Sequence, residues 1–311
     1  MFSLFFAILD SFLYPLSQSH RTHVDKLATG FAQLGYRVIK VKTLQELQAL
    51  SDKDILYLSN HFELVFKQKR ISEYLLLRIL YSINKGKPRL LLWSFHHFSD
   101  LLNRFDFNCL YLFDPCSKLT FTGHIKNKSI YMKYSSFVDP LSMNNLPHLP
   151  LSHRPSSIYY VGSRYNHQLC SELKARYADS FIHEYPPFLN TIMQWNQLSL
   201  SRISVCLFSP AHVDAGSFTE RLPESLSAGN IIIHNHPNLP NWVNSIESVF
   251  AVSGSLKSFI SMIDYILKMS DCKINELGHA SLCAYQANSL SYKDFAAQIL
   301  KRFSDPSFNF T

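Results

Sequence analysis

Short apolar runs rich in β-branched and aromatic residues alternate along the chain with segments whose apolar residues recur at helical spacing. In the first half, His23–Leu34 and Ile71–Asn84 have the helical spacing, and Gly35 is a helix stop before the next run. The runs predicted as strands are Phe2–Leu9, Tyr36–Val41, Asp54–Leu58, Leu90–Ser94, Cys109–Phe113 and Ser129–Tyr134. Because this alternation implies parallel strands joined by crossover helices, it predicts an α/β domain.

A polar, proline-containing stretch, Asn144–Ser157, interrupts the alternation and is predicted to be a domain linker. The alternation then resumes, with predicted helices at Gln168–Tyr177, Thr219–Ala228 and Leu256–Met269 and predicted strands at Ser157–Gly162, Phe181–His183, Ser204–Phe208, Asn230–His234 and Ser248–Val252. The sequence therefore predicts two Rossmann-like α/β domains, residues 1–150 and 151–311, facing a cleft. Ligands of open α/β sheets bind at the carboxyl ends of the strands.

The composition is that of a globular protein, with 47% hydrophobic and 17% charged residues. The six cysteines form no CxxC pair, which argues against a disulfide framework or a zinc site and favours a reducing compartment. The apolar N-terminal run is ended by Asp10 and is too short to span a bilayer. We interpret it as a buried first strand of a cytoplasmic protein rather than as a signal peptide or membrane anchor.

The positive charge is confined to the first half of the chain. Residues 1–150 contain 18 Lys+Arg and 11 Asp+Glu, a net charge of +7, whereas residues 151–311 contain 12 of each. A one-sided basic domain attracts nucleic acid, anionic lipid or an anionic substrate, although a solvated basic surface that aids solubility is the simplest alternative. No RNA-binding signature or helix-turn-helix pattern accompanies the charge, so we do not expect a nucleic-acid partner.

The most informative segment runs from residue 203 to 243, where a buried strand is followed by a loop, a short helix ending at Gly229 and a second buried strand. The helix start offers backbone N–H groups at Ser217, Phe218 and Thr219, and N–H groups and the helix dipole favour a phosphate or diphosphate. Arg221 is expected to neutralise phosphate charge.

Two carboxylates in the same segment are candidates for binding a ribose. Glu220 and Glu224 lie four residues apart and so share a helical face. A structural alternative makes Ser217 and Glu220 a capping box, and makes Arg221–Glu224 a surface ion pair worth little energy. Pro223 lacks a backbone donor and is tolerated only in the first helical turn, which places the helix start at Thr219.

The segment resembles the donor-binding region of glycosyltransferases with the GT-B fold. Thr219, Glu220, Arg221, Leu222, Ala228 and Gly229 resemble the Thr-Glu-Lys-Leu…Ala-Gly motif of family 10 fucosyltransferases. The spacing of Arg221, Glu224 and Gly229 is also similar to that in exostosin-like and spore-protein-like glycosyltransferases. The resemblance implies that Glu224 or Glu220 holds the donor ribose and that Arg221 contacts its phosphates. The retaining family 4 pattern is not matched, because Gly216 stands where its first glutamate is expected.

The same resemblance implies further contacts to the nucleotide. Arg164, after the strand that opens the second domain, is expected to reach the donor diphosphate, and the alternative is an ordinary turn with an exposed arginine. Tyr185 or Phe188 is expected to stack on the base, and the alternative is a plain core aromatic.

In inverting GT-B enzymes a base commonly follows the first strand, and His23 is our first choice here, followed by His20 and Asp10. A histidine suits this role because its pKa lies near neutrality. His234 and His236 face the same side if the strand continues, but no third ligand is evident, so we expect no metal.

The sequence thus predicts a glycosyltransferase that needs no cofactor and moves a sugar from a nucleotide-sugar donor to a glycan or lipid-linked acceptor, as in polysaccharide biosynthesis. With a histidine base the reaction inverts the anomeric centre. The basic first domain makes an anionic membrane surface a further candidate partner, with the protein peripheral on the inner face of the membrane. The alternatives are a nucleotide-sugar epimerase-type enzyme on the same fold, and a non-catalytic protein that binds sugar nucleotides or nucleic acid.

Overall fold

The computed structural model describes residues 4–9, 18–59, 73–93, 109–113, 129–131, 148–161, 167–184, 191–210, 213, 221–239, 241–288 and 292–304. Within them the chain divides into two compact α/β units. No helix of these residues is long and apolar enough to cross a membrane.

Unit 1 is built on a parallel six-stranded sheet. Its strands are β1 (Phe5–Leu9), β2 (Arg37–Val41), β3 (Ile55–Ser59), β4 (Arg89–Trp93), β5 (Cys109–Phe113) and β6 (Ser129–Tyr131). They lie in the order β2-β1-β3-β4-β5-β6, and every pairing is parallel. The helices described before β6 are α1 (Gln18–Gln33), α2 (Leu44–Gln48) and α3 (Glu73–Gly86). Thr43 and Glu46 form a capping box at the start of α2.

Unit 2 repeats the design with a parallel five-stranded sheet. Its strands are β7 (Ser156–Val161), β8 (Phe181–Glu184), β9 (Ser201–Cys206), β10 (Ile231–His234) and β11 (Val249–Ala251), in the order β11-β10-β9-β7-β8. Its helices within the described residues are α4 (His167–Tyr177), α5 (Thr191–Ser199), α6 (Arg221–Ser227), α7 (Asn241–Asn244), α8 (Leu256–Leu267) and α9 (Asp271–Asn288). Short 3-10 helices span Leu151–His153 and Ala178–Ser180.

Strand β10 shows how the sheet of unit 2 separates two cores. Ile231 and Ile233 pack on one face with Phe259 of α8, whereas Ile232 packs on the other face with Leu222 of α6. All four residues of β10 are buried. A strand covered on both faces reads as a continuous apolar run, and this is why Ile231–Ile233 is recognisable in the sequence.

The last helix, α10 (Tyr292–Phe303), returns to unit 1 and packs against α1. Phe295 and Ile299 share a buried cluster with residues of α1. The helices approach so closely that a Cβ at Gly30 would lie 2.3 Å from the backbone oxygen of Tyr292. The sequence interpretation assigned all of 151–311 to the second domain; the structure differs at this end because the apolar face of α10 completes the core of unit 1.

The predicted α/β architecture with parallel sheets is confirmed. The strand bounds differ by a few residues, most at β9, which begins at Ser201 instead of Ser204. The described part of the predicted linker is not a free spacer, because Leu151 and Arg154 are both 2% exposed. Both side chains belong to the interior of unit 2, because Leu151 packs in its apolar core and Arg154 donates to the backbone oxygens of Ser201 and Ala228.

Candidate functional site in unit 2

Arg221 lies beyond the carboxyl end of β9, at the first residue of α6. Its Nη1 donates a hydrogen bond to the backbone oxygen of Leu207, 3.2 Å away. Burial raises the pKa of the Tyr160 hydroxyl, and the positive charge and hydrogen bond of Arg221 partly offset that shift. The guanidinium therefore lies where β7 and β9 end, at the edge of the sheet where ligands of this kind of fold bind.

Glu224 lies one turn further along α6 and is only 3% exposed. The alternative in which Arg221 and Glu224 form a surface ion pair is therefore wrong, because α6 is covered on all sides from Leu222 to Ser227. Burial raises the pKa of the Cys206 thiol; the charge of Arg221 opposes that shift and the charge of Glu224 adds to it. Both charged groups thus act on the end of β9.

Serine residues hold α6 against its neighbours. The hydroxyl oxygens of Ser204 on β9 and Ser225 are 2.7 Å apart, and the Ser225 hydroxyl donates to the backbone oxygen of Arg221 at 2.6 Å. The indole N–H of Trp195 donates to Ser227 at 3.2 Å. Pro223 lies in the first described turn, as its missing donor requires. These contacts fix the rotation of α6 and hence the directions of Arg221 and Glu224.

The Ala-Gly pair that ends the donor-like motif has a structural role. Gly229 has a φ of +70°, and a Cβ there would lie 3.3 Å from the backbone oxygen of Gly278 on α9. Only glycine adopts this conformation without strain at so close an approach. The next residue, Asn230, donates to the backbone oxygens of Leu198 and Ser201 at 3.0 and 2.6 Å.

The carboxyl end of β10 is joined to that of β9 by Asn235. Its side-chain oxygen accepts from the backbone N–H of Phe208 at 2.7 Å, and its amide donates back to the Phe208 oxygen at 3.0 Å. The sequence interpretation missed this residue; its position directly after a buried strand was the available signal.

His234 is fully buried at the same edge of the sheet. Its Nδ1 accepts from the backbone N–H of His236 at 3.2 Å, so the proton of the neutral ring is on Nε2. Burial, and then the nearby His236, lower the pKa of His234 to about 4, which keeps the ring neutral at pH 7. Within the described residues, no group of three potential metal ligands occurs.

Several predicted site residues fall outside the described residues. These are Asp10, Arg164, Tyr185, Phe188, Ser217, Phe218, Thr219 and Glu220. The capping box and the helix start at Thr219 lie there as well, and the described helix begins at Arg221. The backbones of His20 and His23 belong to α1 in unit 1, but their side chains are outside the described set. Arg221 and Glu224 are thus the predicted site residues that the structure brings together.

Comparison with known proteins gives structural but not sequence matches. No protein-family model matches the chain, and no curated protein sequence matches it. An α1,3-fucosyltransferase structure matches 98% of this chain and 90% of its own at 12% identity, with a TM-score of 0.53. A glycosyltransferase involved in avilamycin A biosynthesis matches with 97% of each chain covered, 12% identity and a TM-score of 0.52. The chain has the GT-B fold.

Other matches are more partial. An E. coli trehalose-6-phosphate structure bound with UDP-2-fluoro glucose matches 84% of this chain and 76% of its own, at 12% identity and a TM-score of 0.51. The chain covers 59% of a protein from the GtfA/B complex, with a TM-score of 0.47. At these identities the likeness concerns the GT-B fold alone, and function depends on the residues of the site.

Proposed function

We propose that this GT-B protein is a glycosyltransferase that binds a nucleotide-sugar donor in unit 2 and transfers the sugar to a glycan or lipid-linked acceptor without a bound metal. The observation that carries the proposal is the placement of Arg221 and buried Glu224 on one turn of α6, at the carboxyl ends of the unit 2 strands. A guanidinium is suited to a diphosphate, and a carboxylate to a pair of ribose hydroxyls.

Glu224 is 3% exposed, so its carboxylate must be compensated by polar partners, and the hydroxyl groups of a donor at the end of β9 would be additional partners of that kind. Arg221 is half-buried and so remains partly accessible. Together they supply a cation and an acceptor of hydrogen bonds, one helical turn apart.

Calorimetry with GDP, UDP, dTDP and ADP tests the donor site. We expect one of them to bind the full chain, and Arg221→Ala and Glu224→Gln to weaken that binding about 10- to 100-fold, the loss of a charge-assisted hydrogen bond. Arg202→Ala is the matched control, because this half-buried arginine of β9 donates to the backbone oxygens of Ser152 and Arg154. Absence of binding at millimolar nucleotide would contradict the proposal, as would equal weakening by Arg202→Ala.

For the chemical step we propose that His23 takes the proton of the acceptor hydroxyl as its oxygen attacks the anomeric carbon and the bond to the diphosphate breaks. The anomeric centre is then inverted. Loss of a general base costs about a hundred- to ten-thousand-fold in rate, so His23→Ala should lower turnover by that order with donor affinity nearly unchanged. His20→Ala should do much less. Turnover of His23→Ala within about threefold of the parent would remove the assignment, and Asp10→Asn would then be tested. A product with retained configuration would contradict inversion.

A further inference from the structure

The outward face of α3 in unit 1 carries two large apolar side chains. Leu77 is 40% exposed and Tyr81 is 67% exposed. They lie four residues apart and therefore on one face of the helix. Isolated exposed apolar residues are ordinary, but two neighbours on a single helical face form a continuous apolar strip.

The strip is bordered by cations. Arg78 and Lys85 are exposed on the same side of α3, and Lys87 follows directly after the helix. The sequence from residue 77 to 87 contains no Asp or Glu. An outward face with apolar residues beside positive charges is the pattern of helices that lie in the interface of an anionic bilayer.

Packing of the opposite face fixes this orientation. Ile79 and Ile83 are 0% exposed, and the side-chain amide of Gln48 on α2 donates to Ser82 at 3.3 Å. The helix therefore cannot rotate to bury Tyr81 without disrupting its contact with α2. The strip is a stable feature of the surface of unit 1.

Helix α8 of unit 2 provides the contrast. Its Tyr265 is 59% exposed, but the neighbouring Asp264 binds Arg176 at 2.6 Å and accepts a hydrogen bond from the Tyr177 hydroxyl at 2.7 Å. The surface around Tyr265 thus contains an acid, and residues 151–311 carry no net charge. Exposure of an aromatic ring is shared by the two helices. The acid of α3, Glu73, is its first residue, and residues 77–87 around Tyr81 contain three cations and no acid, whereas Asp264 directly precedes Tyr265.

We propose that the outward face of α3 binds an anionic phospholipid surface, with Leu77 and Tyr81 at the lipid interface and Arg78, Lys85 and Lys87 near the headgroups. Each basic residue near such a surface contributes to binding, and tyrosine favours the boundary between apolar and aqueous regions. The net +7 of residues 1–150 supplies the long-range attraction. This inference does not depend on the proposed sugar transfer, and either can fail without the other.

Vesicle flotation of the full chain tests the surface. We expect recovery with vesicles of phosphatidylcholine plus phosphatidylglycerol, little recovery with phosphatidylcholine alone, and release at about 1 M salt, where the Debye length is about 3 Å. Equal recovery on both kinds of vesicle, or none on the anionic ones, would overturn the proposal.

Matched variants locate the contact. Lys85→Gln should lower partitioning about fivefold and Tyr81→Ala a few-fold, because the first removes one cation and the second removes ring area from the interface. Lys257→Gln and Tyr265→Ala, at exposed positions of α8, should leave partitioning unchanged. Equal losses in both pairs would contradict the assignment to α3. Self-association of the parent chain that Tyr81→Ala abolishes, without vesicle binding, would show that a protein covers the strip instead.

Discussion

The two units share a parallel α/β design but differ in what they bury. In the described part of unit 1, the buried polar and charged residues are Asp54 and Ser82. Unit 2 buries a much larger set: Arg154, Ser156, Ser201, Ser204, Glu224, Ser225, Ser227, Asn230, His234, His236, Ser248 and Ser281. Because a buried polar group is costly without partners, the interior of unit 2 depends much more on paired polar groups than the described interior of unit 1 does.

The two ends of the unit 2 sheet also differ in how their polar groups are paired. At the amino end the polar groups bind one another: Arg154 donates to three backbone oxygens, and Ser281 joins Ser248 and the Asn230 oxygen at 2.6 Å each. At the carboxyl end, Nε2 of His234 is buried without a hydrogen-bond partner. Among the described residues, Oδ1 of Asn230 at the amino end is likewise buried without a hydrogen-bond partner, so the two ends differ only in how many of their polar groups are paired. The placement of the candidate site at the carboxyl end therefore rests on Arg221 and Glu224.

Among variants that distinguish the two units, a substitution of Arg154 is expected to have the largest effect on stability. Its guanidinium donates to the oxygens of Leu149, Ser201 and Ala228 at 3.1, 2.8 and 2.7 Å, and burial lowers its pKa to about 10, so it stays charged at pH 7. Arg154→Leu removes these donors from a buried position and should lower the free energy of unfolding by about 2–4 kcal/mol. Urea unfolding gives the loss, and hydrogen exchange should locate it in unit 2.

The matched change in unit 1 is Asp54→Ala. Asp54 accepts from the backbone N–H groups of Phe5 and Ser51 and from the Ser51 hydroxyl, at 2.7–2.9 Å. Ser51 is exposed and Phe5 is partly exposed, so water can replace the carboxylate, and the expected loss is about 1–2 kcal/mol. If Asp54→Ala lowers the free energy of unfolding as much as Arg154→Leu does, the distinction between the buried polar groups of the two units is removed.

The periodicity of apolar residues was sufficient to predict the α/β architecture and most elements. It succeeded where a strand is covered on both faces, as at Ile231–Ile233, or where a glycine ends a helix, as at Gly35. The interpretation missed α9, because its buried face contains Gly278 and Ser281 beside Ile274, Leu277 and Tyr285 and so has a weak apolar period. It also gave no role to α10, whose partner α1 is distant in sequence. Long-range packing of this kind leaves no local signal.

The candidate site was only partly readable from the sequence. The resemblance singled out the helix that contains Arg221 and Glu224, and a donor-binding role for these residues stays a prediction. Spacing alone could not decide whether Glu224 is buried. Arg154 was missed because an arginine among prolines suggests an exposed linker, and two of its three backbone acceptors, Ser201 and Ala228, are distant in sequence. The roles of His23, Arg164 and Tyr185 stay predictions.

The last comparison measures a slope with pH instead of a total loss, and it tests the buried histidine at the carboxyl end. The pKa of His234 is about 4 in the folded chain and about 6.5 in an unfolded chain, so between these values the unfolded state binds one more proton than the folded state. The free energy of unfolding must therefore fall as the pH decreases from about 6.5 to about 4, by up to about 1.4 kcal/mol per pH unit from this group.

His234→Gln keeps an N–H donor but does not titrate, and should remove most of that slope. His148 should preserve part of the pH dependence in this variant, because burial lowers the pKa of His148 as well. His279→Gln, at an exposed position of α9, is the control and should leave the slope unchanged. Urea midpoints measured from pH 7 to pH 5 check this, and equal slopes in the parent and His234→Gln would mean that the ring is not held neutral in the interior of unit 2.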